Sequence, residues 1–369
     1  MSGFDLIIVG GGIAGASLGA AIADKRRTLI IEAEDQCGYH TTGRSAAFWL
    51  AHYGGPEVMP LTLASGPLLE EGWPTGERSW LRRRGSITIA RDYMDLREPL
   101  AVKSRAAPLT EIKRGELERL VPGLRKGWDH GVLDPSCADI DVGGLHQACV
   151  AHFRRTGGRL VCSAPLRSAR RFGDQWVVEA GSERFTAPVI VNASGAWADE
   201  VARRCAARPL GIQPFRRTIT QLRVGRTGLR DLPLINDALE LFYFKGEADN
   251  RVWVSPHDET ASDACDAAAE EIDVAIAIDR FQSVVDWPVE AVERSWAGLR
   301  SFAPDRLPVF GFDSIPGFFW CAGQGGFGIQ TSPAVARLCA ALLLGEEPGD
   351  SLLAKPTDFS PLRFDHGRK

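Results

Sequence analysis

Gly10, Gly12 and Gly15 have the spacing of a phosphate cradle, G-x-G-x-x-G. In that pattern the first glycine makes a tight turn. The second lets the backbone approach a pyrophosphate, and the third lets a helix pack on a strand. The flanking residues supply the context the motif needs. Residues 4–9 are almost wholly apolar and read as a buried strand, residues 16–23 are small and apolar at helical spacing, and residues 28–31 read as a second strand. Glu32 closes that strand. A carboxylate there accepts hydrogen bonds from ribose hydroxyls and repels a 2′-phosphate, which argues against NADP. The helix start offers free N–H groups and a positive dipole end to phosphates. The motif alone does not separate NAD from FAD, and a structural turn is the plainer alternative.

Other glycine-punctuated stretches also end strands. Residues 189–199 read as strand, turn and helix, with Asn192, Ala193, Gly195 and Trp197 at the turn, the usual ligand position where a parallel strand ends. Residues 318–322 read as a strand, and residues 323–332 form a glycine-dense loop opening a helix over 333–344. Residues 38–47 read as a loop that caps a helix beginning near Ser45 and running to Tyr53, where Gly54-Gly55-Pro56 breaks it. Thr42, Arg44 and Ser45 there could reach phosphate or ribitol.

The elements between these stretches change character. A helix is expected near 61–69, an alternating strand over 85–90, and a helix over 109–120 capped by Thr110. Asp141 reads as the N-cap of a further helix, and residues 158–162 as a strand. Residues 176–180 and 184–187 read as an antiparallel pair. Residues 206–298 are β-rich, with an acidic helix near 267–287. The pattern predicts an α/β protein in which a Rossmann-like nucleotide domain is interleaved with an α+β substrate domain built on an antiparallel sheet. The nucleotide domain is expected over 1–55, 138–205 and 299–369, and the substrate domain over 56–137 and 206–298.

Composition bounds the function. The chain has 369 residues, with 44% hydrophobic and 24% charged, ordinary for a soluble globular protein of two domains. A net charge of −4 gives no general pull toward nucleic acid or anionic membrane. Arg82-Arg83-Arg84 and Arg203-Arg204 read as solvated faces. The eight cysteines have no C-x-x-C spacing, which suits reduced thiols in a cytoplasm and no metal site. The first residues run straight into a strand without a basic n-region, so no signal peptide is expected. The apolar run 335–344 is about half of membrane-spanning length, so no membrane span is expected.

Together the motifs resemble the FAD-dependent D-amino-acid oxidase and dehydrogenase family. The unit from Gly10 to Glu32, Thr42-Gly43-Arg44-Ser45, Asn192 to Trp197, Gly298-Leu299-Arg300 and the 323–331 loop occur there in the same order, over essentially the whole chain. Residues 38–47, 138–141, 296–302 and 324–332 are most similar to the bacterial D-arginine dehydrogenase branch, and glycine and sarcosine oxidases are also similar. The resemblance implies non-covalent FAD. Gly10, Gly12, Ile13, Ala14, Gly15 and Glu32, with Val161, would hold its ADP half. Thr42, Gly43, Arg44, Ser45 and Ala47 would follow the pyrophosphate and ribitol, with Ala193, Gly195 and Trp197 in the second turn. Gly325, Gly326, Phe327, Gly328 and Ile329, with Arg300, would lie at the ring. There amides and the helix dipole could stabilise charge on the reduced flavin. Cys321 falls inside a strand and is expected to be a buried thiol rather than a covalent anchor.

The implied reaction is hydride transfer from the Cα of a D-α-amino acid to flavin N5. It gives an imino acid that hydrolyses to a 2-oxo acid and ammonia. It requires a held carboxylate, a neutral amine and, as proton acceptor, only water. Arg300, expected on a Gly298-Leu299-Arg300 turn before the glycine-dense loop, matches the family's carboxylate clamp, a role suited to a guanidinium fork, and Arg217, on a strand, is a second candidate. Tyr53 and Tyr243 could donate hydrogen bonds to substrate or close the site. His40 is expected to be structural. Phe48, Leu50, Ser86 and Gln324 are assigned to the substrate pocket. Ser86 stands where arginine-oxidising members carry a carboxylate, and Phe48 and Leu50 replace polar residues. An unpaired buried cation is costly, so the donor is expected to be apolar, neutral or a cyclic amine. The competing readings are a secondary-amine oxidase or dehydrogenase for sarcosine, proline or hydroxyproline, a non-catalytic flavin-binding subunit, and an RNA-modifying flavoprotein. The net charge argues against the last. Oxygen and quinone both remain open as electron acceptors.

Overall fold

The computed structural model describes residues 2–103, 106–349, 352 and 354–365. Its first sheet has six strands, in the order Arg159–Val161, Thr28–Ile31, Leu6–Val9, Val189–Asn192, Phe318–Ala322, Val309–Phe312. All pairings are parallel except that of Val309–Phe312. Strands apolar on both faces need cover on both sides. Leu6, Ile8 and Ile30 pack against Leu18, Ile22, Val335 and Leu338 of helices Ile13–Ile22 and Gly328–Leu344. Ile7, Val9 and Leu29 face the opposite way, onto Trp176, Val178 and Phe185 of a four-stranded sheet.

A nine-stranded sheet forms the second body. Its strands come from residues 86–134 and 213–302. Its long antiparallel pair is Gln213–Val224 with Val289–Phe302. Helix Glu271–Val284 covers one face, where Phe244, Val254, Phe281 and Trp287 form a core. The other face carries Arg217, Ile219 and Tyr243 toward the first sheet. Phe48–Trp49, Ala138–Ile140 and Leu81–Arg83 form a small three-stranded sheet. The fold is thus α/β, a Rossmann-like domain interleaved with an α+β domain on a largely antiparallel sheet. Helix Gly55–Glu70 sits at the expected boundary and packs on Gly328–Leu344, with Ala334 N–H donating to Ser65 Oγ at 3.2 Å. The expected division into 1–55, 138–205, 299–369 and 56–137, 206–298 stays a proposal, and its last segment runs past the described residues.

Several local expectations fail. The last helix begins at Gly328, inside the stretch 323–332 expected as a loop. Arg84, expected on a solvated face, has a buried side chain with its Nε 2.8 Å from the Asp139 carboxylate. No helix starts near Ser45: a single 3-10 turn, Thr41–Arg44, leads instead to strand Phe48–Trp49. Ala47 has a φ of 31°, outside the right-handed helical region, and Phe48 pairs with Asp139. The helix expected over 109–120 is strand Thr110–Lys113 followed by helix Arg114–Leu120, which no side chain caps. Ile112 buries itself in the larger core, and pairing with His130–Asp134 outweighs the local cap signal. Gly298-Leu299-Arg300 is no turn but part of strand Val289–Phe302. Asp141 does cap helix Val142–Arg155, accepting from Gly144 N–H at 2.9 Å. Among the described residues no helix is long and apolar enough to cross a membrane.

Candidate active site

A cavity of about 380 Å³ opens at the carboxyl ends of strands Leu6–Val9, Thr28–Ile31 and Val189–Asn192. It extends to Arg217, Tyr243 and Arg300 on the larger sheet. At its near end Gly10 has a φ of +107°, and a Cβ there would lie 2.5 Å from the Ala193 carbonyl oxygen. Only glycine fits that crossing. Helix Ile13–Ile22 starts at Gly12 with no side-chain cap, and Gly12, Ile13 and Ala14 line the cavity. Ile13 N–H donates to Thr42 Oγ1 at 3.0 Å, which ties the 41–45 segment to the helix start. The Glu32 carboxylate accepts from Gly11 N–H at 2.7 Å and Glu34 N–H at 3.0 Å, so its orientation toward the cavity is set by backbone.

Thr42, Arg44 and Ser45 line the cavity, as do Ala193, Gly195 and Trp197. At the far end Gln324, Gly325, Gly326, Gly328 and Ile329 line it. Gly15, Gly43, Ala47, Val161 and Phe327 are not part of the wall. Gly15 supports helix packing, since a Cβ there would strike the Gly10 carbonyl. Val161 stays in its strand, and Ala164, Pro165 and Leu166 beyond it take the wall position. Phe327 packs edge-on against Tyr53, with ring centroids 5.9 Å apart. The Arg44 guanidinium is engaged by protein groups: it pairs with Asp266 and donates to Ala267 O at 2.7 Å. His40 Nε2 lies 2.8 Å from a Glu34 carboxylate oxygen, and its ring leans on Trp197.

The far end gathers residues distant in sequence. Arg300 Nη1 donates to the Tyr53 hydroxyl at 3.1 Å. A Cβ on Gly326 would lie 3.1 Å from Arg300 Nη1 and against the Tyr53 hydroxyl, so the loop backbone passes directly beside this pair. Tyr53 itself lies outside the lining. Buried Gln330 holds its turn, accepting from Leu50 N–H at 3.1 Å and donating to Tyr53 O at 3.1 Å. His52 adds a contact to the buried Asp134 carboxylate at 3.5 Å. Arg217 Nε donates to Asp258 O at 2.7 Å, while the Asp258 carboxylate accepts from Thr218 N–H and Oγ1 at 2.7 and 3.0 Å. Burial, then the like charge of Arg300, pulls the Arg217 pKa down to about 10. Burial, then Arg217 and Arg300, pushes the His257 pKa down to about 3, so this imidazole is neutral near pH 7.

Tyr243 lines the cavity between the His257 ring at 5.8 Å and the Phe48 ring at 6.2 Å. Phe48 and Leu50 back the wall rather than line it, packing with Ala46, Cys137, Ile219 and Leu234. Ser86 is buried in strand Ser86–Ala90 opposite Asp134 and also lies outside the wall. Gln324 turns its amide back, Nε2 donating to Cys321 O at 3.1 Å. Sequence reasoning missed Ile219, His257, Asp258, Asp266 and Gln330. A glutamine inside the apolar run of the last helix was a visible sign for Gln330. The others lie in irregular or alternating segments without a distinguishing pattern.

This donor set fits an FAD. The glycine crossing, the helix start whose N-cap Gly12 brings no side chain, and the fixed Glu32 suit its ADP half. Helix Gly328–Leu344, whose N-cap makes no side-chain hydrogen bond, suits the ring. A family described as FAD dependent oxidoreductase matches residues 5–342. The chain is 24% identical to the bifunctional protein ThiO/ThiG of Synechocystis sp., covering 98% of this chain and 54% of that protein. It is 24% identical to human mitochondrial dimethylglycine dehydrogenase, covering 96% of this chain and 44% of that protein. The chain thus spans about half the length of these relatives. The crystal structure of glycine oxidase from Geobacillus kaustophilus has the same fold, with a TM-score of 0.84 at 23% identity, covering 98% of this chain and 99% of that one. The match across the cradle, the second turn and the ring loop makes this chain a member of the FAD dependent oxidoreductase family, with FAD as its cofactor.

Proposed function

We propose that this chain oxidises a small amino acid at the bond between Cα and nitrogen. The donor is a D-α-amino acid with an apolar or neutral side chain, and the products after hydrolysis are a 2-oxo acid and ammonia. One observation carries the reading: Arg300 and Tyr53 form a hydrogen-bonded pair at the cavity end, directly beside the Gly325-Gly326 backbone. Non-covalently bound FAD supplies the two-electron acceptor. Arg300 holds the donor carboxylate through its fork, and Tyr53 fixes the orientation of that fork. The first turn of Gly328–Leu344 presents amides to developing negative charge. Tyr243 and Ile219, backed by Phe48 and Leu50, exclude water and offer an apolar wall. Water takes the proton of the ammonium group before oxidation.

A secondary amine is the second reading. Similarity to a protein named for dimethylglycine, a glycine substituted on nitrogen though itself a tertiary amine, supports an N-substituted donor, and the apolar wall near Tyr243 suits its N-alkyl group. Anaerobic bleaching of the bound flavin tests both. Bleaching by apolar D-amino acids, but not by D-arginine or L-isomers, is the expected result. Bleaching only by sarcosine or proline-type donors replaces the first reading with the second. A flavin that none of these bleaches overturns both.

A further inference from the structure

We propose that His52 and Asp134 position Tyr53, so that this buried pair sets the affinity of the site for the donor carboxylate without touching the donor. The inference rests on the reading that Arg300 holds that carboxylate.

The Tyr53 hydroxyl orients the Arg300 fork, accepting from Nη1 at 3.1 Å. Tyr53 itself sits in a turn that its backbone holds loosely. Gly54 and Gly55 follow at φ values of 104° and 80°, a region that glycine enters without cost. Side chains must therefore fix the turn. Gln330, from helix Gly328–Leu344, takes its two ends through Leu50 N–H and Tyr53 O. His52 takes its middle from the other side. Its side chain is 6% exposed and reaches strand His130–Asp134 of the nine-stranded sheet, with Nε2 3.5 Å from Asp134 Oδ2. The turn is thus tied to both bodies of the protein.

Asp134 is oriented for this contact. Its Oδ1 accepts from Ser136 N–H and Oγ–H at 2.8 and 2.5 Å, which fixes the carboxylate plane. Its buried Oδ2 makes no hydrogen bond among the described residues and faces His52. Burial alone would raise the Asp134 pKa, but the contacts from His52 and Ser136 outweigh it and hold the carboxyl below its ordinary range. An ionised oxygen in an apolar setting needs a partner, and Leu96, Leu109 and Val132 wall this one in. Neither His52 nor Asp134 lines the donor cavity, so any effect on the donor passes through Tyr53. Without the pair the turn hangs from Gln330, the Tyr53 hydroxyl leaves Arg300 for part of the time, and the fork loses its preset orientation. Carboxylate binding then weakens, while the rate from a bound donor stays the same.

The test is a double-mutant cycle on the FAD-loaded protein with Asp134→Asn and His52→Gln. Flavin content is read from absorbance, and KM and kcat are measured with D-alanine. Propionate, which has the carboxylate and no amine, is titrated by its perturbation of the flavin spectrum. Each single variant is expected to raise KM and the propionate dissociation constant about 10-fold, with kcat held within about 2-fold. The double variant is expected to lose no more than either single one, because the two residues act as one unit. An unchanged KM in Asp134→Asn overturns the inference. So does an additive loss of about 100-fold in the double variant, which means that the two residues act separately. A fall in kcat at constant KM, or loss of FAD from both single variants, makes the pair structural and also overturns it. D-alanine oxidation that no variant alters defeats this inference alone. An unmodified protein that neither bleaches with D-alanine nor binds propionate defeats the amino-acid reading with it.

Discussion

Replacing His257 with asparagine is predicted to make the protein less sensitive to mild acid. His257 sits with its ring 5.8 Å from Tyr243, and burial together with Arg217 and Arg300 lowers its pKa from 6.5 to about 3. The direction follows from proton counting. Below pH 6.5 the unfolded chain takes up a proton at this site that the folded chain refuses. Stability from this group is therefore full above pH 6.5 and is lost as pH falls from there toward 3. Each pH unit in that window corresponds to about 1.4 kcal/mol, so pH 5 costs about 2 kcal/mol relative to pH 7. Asparagine accepts the left-handed backbone at this position, where φ is 55°, and does not titrate. The loss of ring packing affects both pH values alike, so the pH difference isolates the proton. His146 and His152 have lowered pKa values as well, but both remain in the variant. Urea unfolding of the FAD-loaded protein at pH 7 and pH 5 measures the effect. The unmodified protein is expected to lose about 2 kcal/mol more than His257→Asn between the two conditions. Equal losses within about 0.5 kcal/mol refute the reasoning, because they mean that the folded imidazole takes its proton at an ordinary pH.

Arg300→Lys keeps the charge but loses the fork, and is expected to lower kcat/KM by about 100-fold or more while the flavin spectrum is retained. Gly10→Ala places a Cβ 2.5 Å from the Ala193 carbonyl at a φ of +107°, so the purified protein is expected to emerge from gel filtration with little bound FAD. The absorbance ratio of flavin to protein reads this directly. Gln330→Leu leaves Leu50 N–H and Tyr53 O without their partner, and is expected to destabilise the protein by about 2–4 kcal/mol in urea unfolding. It also frees the turn that carries Tyr53, so its KM for amino-acid donors is expected to rise.

The nucleotide cradle was legible because its parts are near neighbours in the chain. Gly10, Gly12, Gly15 and Glu32 lie within one strand–helix–strand unit, and apolar periodicity alone assigns that unit's elements. The second turn after Val189–Asn192 and the loop before Gly328–Leu344 followed the same logic, since a strand that ends in small residues before a helix is a local pattern. The candidate amino-acid end was legible only as residue types. Arg300, Arg217, Tyr53 and Tyr243 could be named, but what surrounds them could not.

Tertiary pairing decided what surrounds them. Arg300 was expected on a turn because Gly298 precedes it, yet twelve register pairs with Gln213–Val224 hold it in a strand. Arg44 was expected to meet phosphate, and its guanidinium meets Asp266, 222 residues away. Ala47 to Trp49 looked helical, and pairing with Ala138–Ile140 made the segment extended. The physical reason is common to all three. Backbone periodicity is a short-range property that any ten residues display. A buried charge or an edge strand takes whatever partner long-range packing brings to it, and that choice is made by the sum of burial and hydrogen bonds across the folded chain. The sequence by itself thus determined the cradle and the types of the reactive side chains. The fold decided their partners, and with them the neutrality of His257.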